Sequence, residues 1–268
     1  MTGIERIAAA FENSGKRAAL MPYLMGGFPD LDTSRAIGEA YAAAGADLIE
    51  LGVPFSDPLA DGPVIHAAGT AALRSGADTD GVLEVARALA ERVPVVVMSY
   101  ANLVLARGVD RFAGELADAG ASGLIVPDLP HEESSDARAA LSRRGLALVP
   151  LVAPTTPDER LRAIGAQASG FVYTVSLAGT TGERTALSSG LGGIVARTKA
   201  ATEVPVAVGF GISTPAHAAE AADAGADGVI VGSRLVRAAA EAEDPVAAVS
   251  EVVTELAGGL ATPAPAEA

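Results

Sequence analysis

The chain has no cysteine, no tryptophan and only two lysines among its 268 residues. Without cysteine there is no disulfide, no thiolate nucleophile and no thiolate metal ligand, which suits a cytoplasmic protein. Lys16 and Lys199 both lie ahead of Val/Leu-rich runs and not after them. A Schiff-base aldolase or a lysine-anchored pyridoxal phosphate enzyme is therefore not expected. The three histidines, His66, His131 and His217, lack paired metal-ligand spacing. Only His131, in DLPHEES, falls where a site could form, and His217 reads as a helix surface residue. No GxGxxG follows a strand-like run, which removes the dinucleotide fingerprint. No segment approaches the roughly 18 uninterrupted apolar residues of a membrane span. The N-terminus alternates charge with short apolar stretches, unlike a signal peptide. A formal charge of −14 would repel a phosphate backbone, so nucleic acid is not an expected partner.

Half of the residues are hydrophobic while only 4% are aromatic, so any core must be built from small and branched aliphatics. Eight short apolar runs recur, each followed by a loop and an Ala-rich stretch of helical spacing: 19–25, 47–51, 95–99, 123–126, 147–152, 171–175, 206–209 and 228–231. Three of them are introduced by a related phrase, AGADLIELG, AGASGLIVP and AGADGVIVG. In each phrase the glycine can end a helix in the left-handed conformation before a buried strand begins. Eight such units in this length predict an α/β fold, a single-domain (β/α)8 TIM barrel over residues 1–258, with an open doubly wound sheet as the alternative. Residues 1–14 read as an extra N-terminal helix, and 259–268 as a disordered Pro/Ala tail.

Barrel enzymes carry their chemistry at the C-terminal ends of the strands. In DLIELG, a period of two places Leu48, Glu50 and Gly52 on one face and Ile49 and Leu51 on the other. If the latter pair packs on helices, Glu50 points into the barrel, where apolar neighbours should raise its pKa. Pairing with a distant arginine is the competing reading. In the loop that follows, VPFSDPLADGP, Asp61 is either a functional carboxylate or an ordinary helix N-cap, and Asp57 reads as a turn residue. The last two runs end in GFGIS and VGS. Their glycines, with Ser233 capping a helix that starts near Arg234, would form the phosphate cradle usual at this place in the fold. The long polar loop SLAGTTGERTALSSGLGG reads as a lid, with Thr181 and Gly182 reaching the phosphate. By elimination the chemistry must come from carboxylates and hydrogen bonds.

The segment ELGVPFSDPLADGP at 50–63 closely resembles the signature of the tryptophan synthase α subunit family. YANLV, PDLPHEES, GTTG, GFGIS and VGS extend the likeness along nearly the whole chain in order. The resemblance implies a TIM barrel that splits indole-3-glycerol phosphate into indole and glyceraldehyde 3-phosphate by a retro-aldol reaction. It places the catalytic groups on Glu50, Asp61 and Tyr173, and phosphate binding on Gly182, Gly211, Gly232 and Ser233. Tyr23 would be the pocket aromatic of the first strand, where some members carry Phe, and Met98 an apolar pocket position. It implies no cofactor on this chain, and an α2β2 heterotetramer with a β subunit that carries pyridoxal phosphate and receives the indole. A stand-alone lyase releasing free indole, or a non-catalytic phosphate-binding scaffold, remains the alternative. Other phosphate-binding barrels share the glycine loops but not the Glu50 to Pro63 run.

Overall fold

The structure is a computed structural model in which residues 1–175, 190–209 and 211–262 are described. Strands and helices alternate as the apolar runs predict. The first half comprises α1 (Gly3–Glu12), β1 (Ala19–Met25), α2 (Leu31–Ala43), β2 (Ile49–Gly52), α3 (Pro63–Arg74), α4 (Thr79–Ala90), β3 (Val95–Met98), α5 (Ala101–Arg107), α6 (Val109–Asp118) and β4 (Gly123–Ile125). A 3-10 turn (His131–Glu133) leads into α7 (Ser135–Ser142), β5 (Ala147–Val149), β6 (Leu151–Val152), α8 (Asp158–Gly165) and β7 (Val172–Val175). The chain ends with α9 (Leu191–Lys199), β8 (Val206–Gly209), α10 (Pro215–Asp223), β9 (Gly228–Val231), α11 (Ser233–Glu241) and α12 (Pro245–Gly259).

The strands pair in the order β5-β4-β3-β2-β1-β9-β8-β7-β6, and every strand pair in the ladder is parallel. The two ends of that order are the two halves of one expected run, 147–152. Pro150 lies between them and has no N–H to give the ladder, while its carbonyl accepts the Tyr173 amide at 2.9 Å. The run thus pairs with β4 before the proline and with β7 after it, and this closes the barrel. The expected open-sheet alternative is excluded by this ring.

Side chains divide by the period of two. Met21, Leu48, Val96, Ile125, Val149 and Ile230 fill the interior, whereas Leu20, Ile49, Leu51, Val95, Val97 and Val229 pack outward against helices. Helix α1 stoppers the N-terminal end. Its Ile7 joins the interior cluster, Phe11 packs on Phe171 with ring centroids 5.8 Å apart, and Thr2 with Glu5 forms a capping box that fixes its start. The AGA(D/S) glycines have the expected left-handed backbone, with φ of +105° at Gly45, +69° at Gly120 and +93° at Gly225. Asp47 and Asp227 from two of these phrases bind the chain's two lysines, Lys16 at 2.9 Å and Lys199 at 2.6 Å, so both cations serve the end opposite the strand C-termini. The packed chain runs past residue 258: Leu260 is buried, its carbonyl accepts the Arg17 amide at 2.9 Å, and Ala261 bridges to Lys16. Residues 263–268, most of the expected tail, lie outside the described residues. Among the described residues no helix is long and apolar enough to cross a membrane.

Candidate active-site cleft

At the C-terminal end of the barrel a cleft with about 740 Å³ of empty space is lined by Tyr23, Glu50, Asp61, Met98, Tyr173, Gly211, Gly232 and Ser233. All eight are positions selected from the sequence. Apolar side chains that the sequence reading passed over, including Ile65, Ile125, Leu151, Ile212 and Ile230, complete the walls. Thr181 and Gly182 fall within 176–189, outside the described residues, as does most of the expected lid.

Glu50 projects from β2 into this cleft and is 2% exposed. Its Oε2 has no hydrogen-bond partner, and no cation pairs with the carboxyl among the described residues. Burial pushes the carboxyl up to about 8, with the nearby charge of Asp61 adding to the shift. A carboxyl in this state is neutral at pH 7 and can give a proton to a bound ligand. The distant-arginine reading of Glu50 finds no support here.

Asp61 is not a helix cap. The N-cap of α3 is Gly62, without a side-chain cap bond, and Pro63 occupies the first turn. The Asp61 carboxylate is held instead by Tyr100, whose hydroxyl donates to Oδ1 at 2.8 Å and accepts the Ala60 amide at 3.0 Å. Burial raises the Asp61 pKa, while the Tyr100 hydrogen bond and the His66 charge pull it back. The two carboxyl groups therefore sit in unlike settings, one with a buried oxygen left unpartnered and one held by a hydrogen bond. Tyr100 is the functional candidate that the sequence reading did not assign. It stands two residues after β3, in YANLV, where an aromatic hydroxyl near a strand end could have drawn attention. Asp57 is exposed and accepts from its neighbour Ser56, as a turn residue would.

Tyr23 and Tyr173 flank Glu50 from β1 and β7. Each lies across the glycine that ends the adjacent strand, so a Cβ at Gly52 would collide with the Tyr23 hydroxyl and one at Gly209 with the Tyr173 hydroxyl. Both phenols are pushed well above the usual range by burial and by nearby carboxylate charge, which keeps them neutral donors.

The other end of the cleft is formed by the loops after β8 and β9. Gly211 has φ +84°, a backbone that favours glycine. Ser233 does not cap α11 as expected: it is the first helical residue, and Gly232 is the N-cap with no side-chain cap bond. The α11 N-terminus therefore faces the cleft without a side-chain cap, the arrangement in which amide groups and the helix dipole receive an anion. His217 also differs from expectation. It is 8% exposed because it turns back on the start of α10, where its Nδ1 accepts the Ser213 amide at 3.4 Å. His131 lies in the 3-10 turn beside a second cleft and not in this one. Among the described residues no group of three or more His, Cys, Asp or Glu side chains could hold a metal ion.

Residues 10–263 match the family model for the tryptophan synthase alpha chain. The chain belongs to this family. A tryptophan synthase alpha chain of Methanosarcina acetivorans is 45% identical over 260 residues, covering 96% of this chain and 95% of its own. That of a Roseiflexus species is 49% identical over 238 residues, with 87% and 91% covered. A chain of Mycobacterium tuberculosis tryptophan synthase superposes with a TM-score of 0.90 at 41% identity, covering 96% of this chain and 99% of that one. A chain from Pyrococcus furiosus tryptophan synthase does so with a TM-score of 0.85 at 36% identity, over 91% and 99%. The family's barrel, and the lyase chemistry of tryptophan biosynthesis that goes with it, frame the cleft described above.

Proposed function

We propose that the cleft cleaves indole-3-glycerol phosphate to indole and D-glyceraldehyde 3-phosphate, and that the indole is passed to a β subunit for L-tryptophan synthesis. The observation that carries this reading is the buried Glu50, with no ion pair among the described residues, beside a hydrogen-bonded Asp61, in a cleft whose far end is an uncapped helix N-terminus. Thr181 and Gly182, assigned to the phosphate from the sequence, lie outside the described residues; in this reading the phosphate lies against Gly211, Gly232 and Ser233. This places the indole ring between the apolar walls and Met98.

Protonated Glu50 gives its proton to C3 of the ring, and the indoleninium that forms carries positive charge at nitrogen. Asp61, oriented by Tyr100, accepts the N–H and stabilises that charge. The bond from C3 to the chain then breaks, its electron pair restores the aromatic indole, and the adjacent hydroxyl becomes the aldehyde as it loses its proton. Glu50, now a carboxylate, is the acceptor for that proton, so the cycle returns the enzyme to its starting state with no cofactor. Tyr173, over Gly209 and beside Glu50, holds the reacting chain in place.

The same reading supplies a partner. The P. furiosus relative was solved as an α2β2 complex described in terms of mutual activation. In this chain Leu59 is 79% and Leu105 63% exposed; they lie in the loop carrying Asp57 and in α5, both on the cleft side of the barrel. That face docks on a pyridoxal phosphate-carrying β subunit in an α2β2 assembly, in the cytoplasm. Assaying indole release from indole-3-glycerol phosphate by the purified chain, with and without the β subunit, tests the proposal. Slow release that the β subunit accelerates is expected. Full rate without it would indicate a stand-alone lyase, and no release in either condition a non-catalytic barrel.

A further inference from the structure

Among the described residues, the Tyr23 hydroxyl has no strong hydrogen-bond partner. The residue is 4% exposed and sits in register with Glu50 across the β1–β2 ladder. Among the described residues its hydroxyl bonds only to the thioether of Met25, with oxygen and sulfur 3.9 Å apart. A thioether is a weak acceptor, so a buried phenol placed there loses water without a full replacement. Phenylalanine would fill the same volume without that cost. The hydroxyl even requires space to be kept free, since a Cβ at Gly52 would collide with it.

The side chain also spans the cleft. Its root lies against the phosphate end, 3.6 Å from where a Cβ on Gly232 would stand, and its tip lies over Gly52, the next inward position after Glu50. In indole-3-glycerol phosphate the same span, from phosphate to ring, is occupied by a three-carbon chain with two hydroxyls. We propose that the Tyr23 hydroxyl is a specificity-determining group that hydrogen-bonds a hydroxyl of the chain joining ring and phosphate. The proposal rests on the assignment of the cleft to indole-3-glycerol phosphate. Because burial, aided by the nearby charge of Asp61, holds the phenol neutral, it can donate this bond throughout the working pH range.

The test is Tyr23→Phe in the full chain with its β subunit, read with two ligands. One is indole-3-glycerol phosphate, for which kcat/KM is measured. The other is 3-(indol-3-yl)propyl phosphate, which keeps ring and phosphate but lacks both hydroxyls, and whose Kd is measured by calorimetry. Loss of one hydrogen bond to the chain should lower kcat/KM on the order of 10-fold. The Kd of the propyl phosphate should stay within about twofold, and the unfolding midpoint should not fall, because only a thioether contact is lost. Equal losses with both ligands, or none with either, would overturn the proposal, as would a lowered midpoint accompanying the loss. A parent chain that neither cleaves the first ligand nor binds the second would overturn the cleft assignment itself. A parent active on both, with an indistinguishable Phe variant, would overturn the role of Tyr23 alone.

Discussion

Replacing Glu50 with Gln removes the ionisation but keeps the shape, so stability and turnover should move in opposite directions. The folded-state pKa of about 8 lies above the ordinary carboxyl value of 4.5. Between those two values the folded chain holds a proton that the unfolded chain has released. Stability from this group is therefore fully present below about pH 4.5 and is lost as pH rises towards and through about 8. Because the side chain is 2% exposed, solvent screening takes little from the effect. At pH 7 the gap corresponds to about 3 kcal/mol, at roughly 1.4 kcal/mol per pH unit. A buried amide carries its own cost for unmet hydrogen bonds, about 1–3 kcal/mol, but that cost does not vary with pH. The slope is thus the diagnostic quantity. Urea unfolding of parent and Glu50→Gln between pH 5 and 9 should give a stability difference that shifts in favour of Gln by roughly 1.4 kcal/mol per unit up to about pH 8 and then levels off. Turnover of the variant should fall on the order of 10² or more while substrate still binds. A difference that is flat with pH, or that turns against Gln as pH rises, would mean that a cation compensates Glu50 and would refute the reasoning.

Other substitutions test other parts of the cleft. Asp61→Asn should fold normally, since Asp61 caps no helix and Asn can still accept from Tyr100, while turnover drops on the order of 10² in steady-state assays. Tyr100→Phe should lower kcat more than it raises KM, because it frees Asp61 and the Ala60 amide without touching the phosphate end; a pure KM effect would contradict the positioning role. Gly211→Asp places a side chain and a negative charge at φ +84°, so inorganic phosphate affinity measured by calorimetry should fall at least about tenfold, and an unchanged affinity would remove this loop from the site.

The sequence exposed those features that follow from periodicity. Alternation along DLIELG was enough to turn Glu50 inward and Ile49 and Leu51 outward, because a strand's period of two leaves no intermediate orientation. The AGA(D/S) phrase likewise announced a left-handed glycine before a buried strand. Features that depend on contacts between distant segments were hidden. Tyr100 reaches Asp61 from 39 residues away, and the choice between cap and functional carboxylate at Asp61 turned on that contact. His217 reads as a surface residue on its own helix and is buried by the turn that precedes it. Ser233 differs by one position: the helix begins at it and not after it, which turns an expected cap into part of an uncapped terminus. The break at Pro150 was readable as a missing donor, but its consequence, a change of partner strand that closes the ring, belongs to the assembled barrel.

In the proposed reaction a neutral Glu50 starts cleavage of indole-3-glycerol phosphate, and that step can be watched alone. It is tested most directly by single-turnover release of indole across pH 6 to 9.5, with the chain in excess over substrate and the β subunit present. One indole per glyceraldehyde 3-phosphate is expected, with a rate constant that is level at low pH and falls as pH passes about 8, where Glu50 loses its proton. A rate that rises through that range, or an absence of indole at every pH, would contradict the proposed reaction.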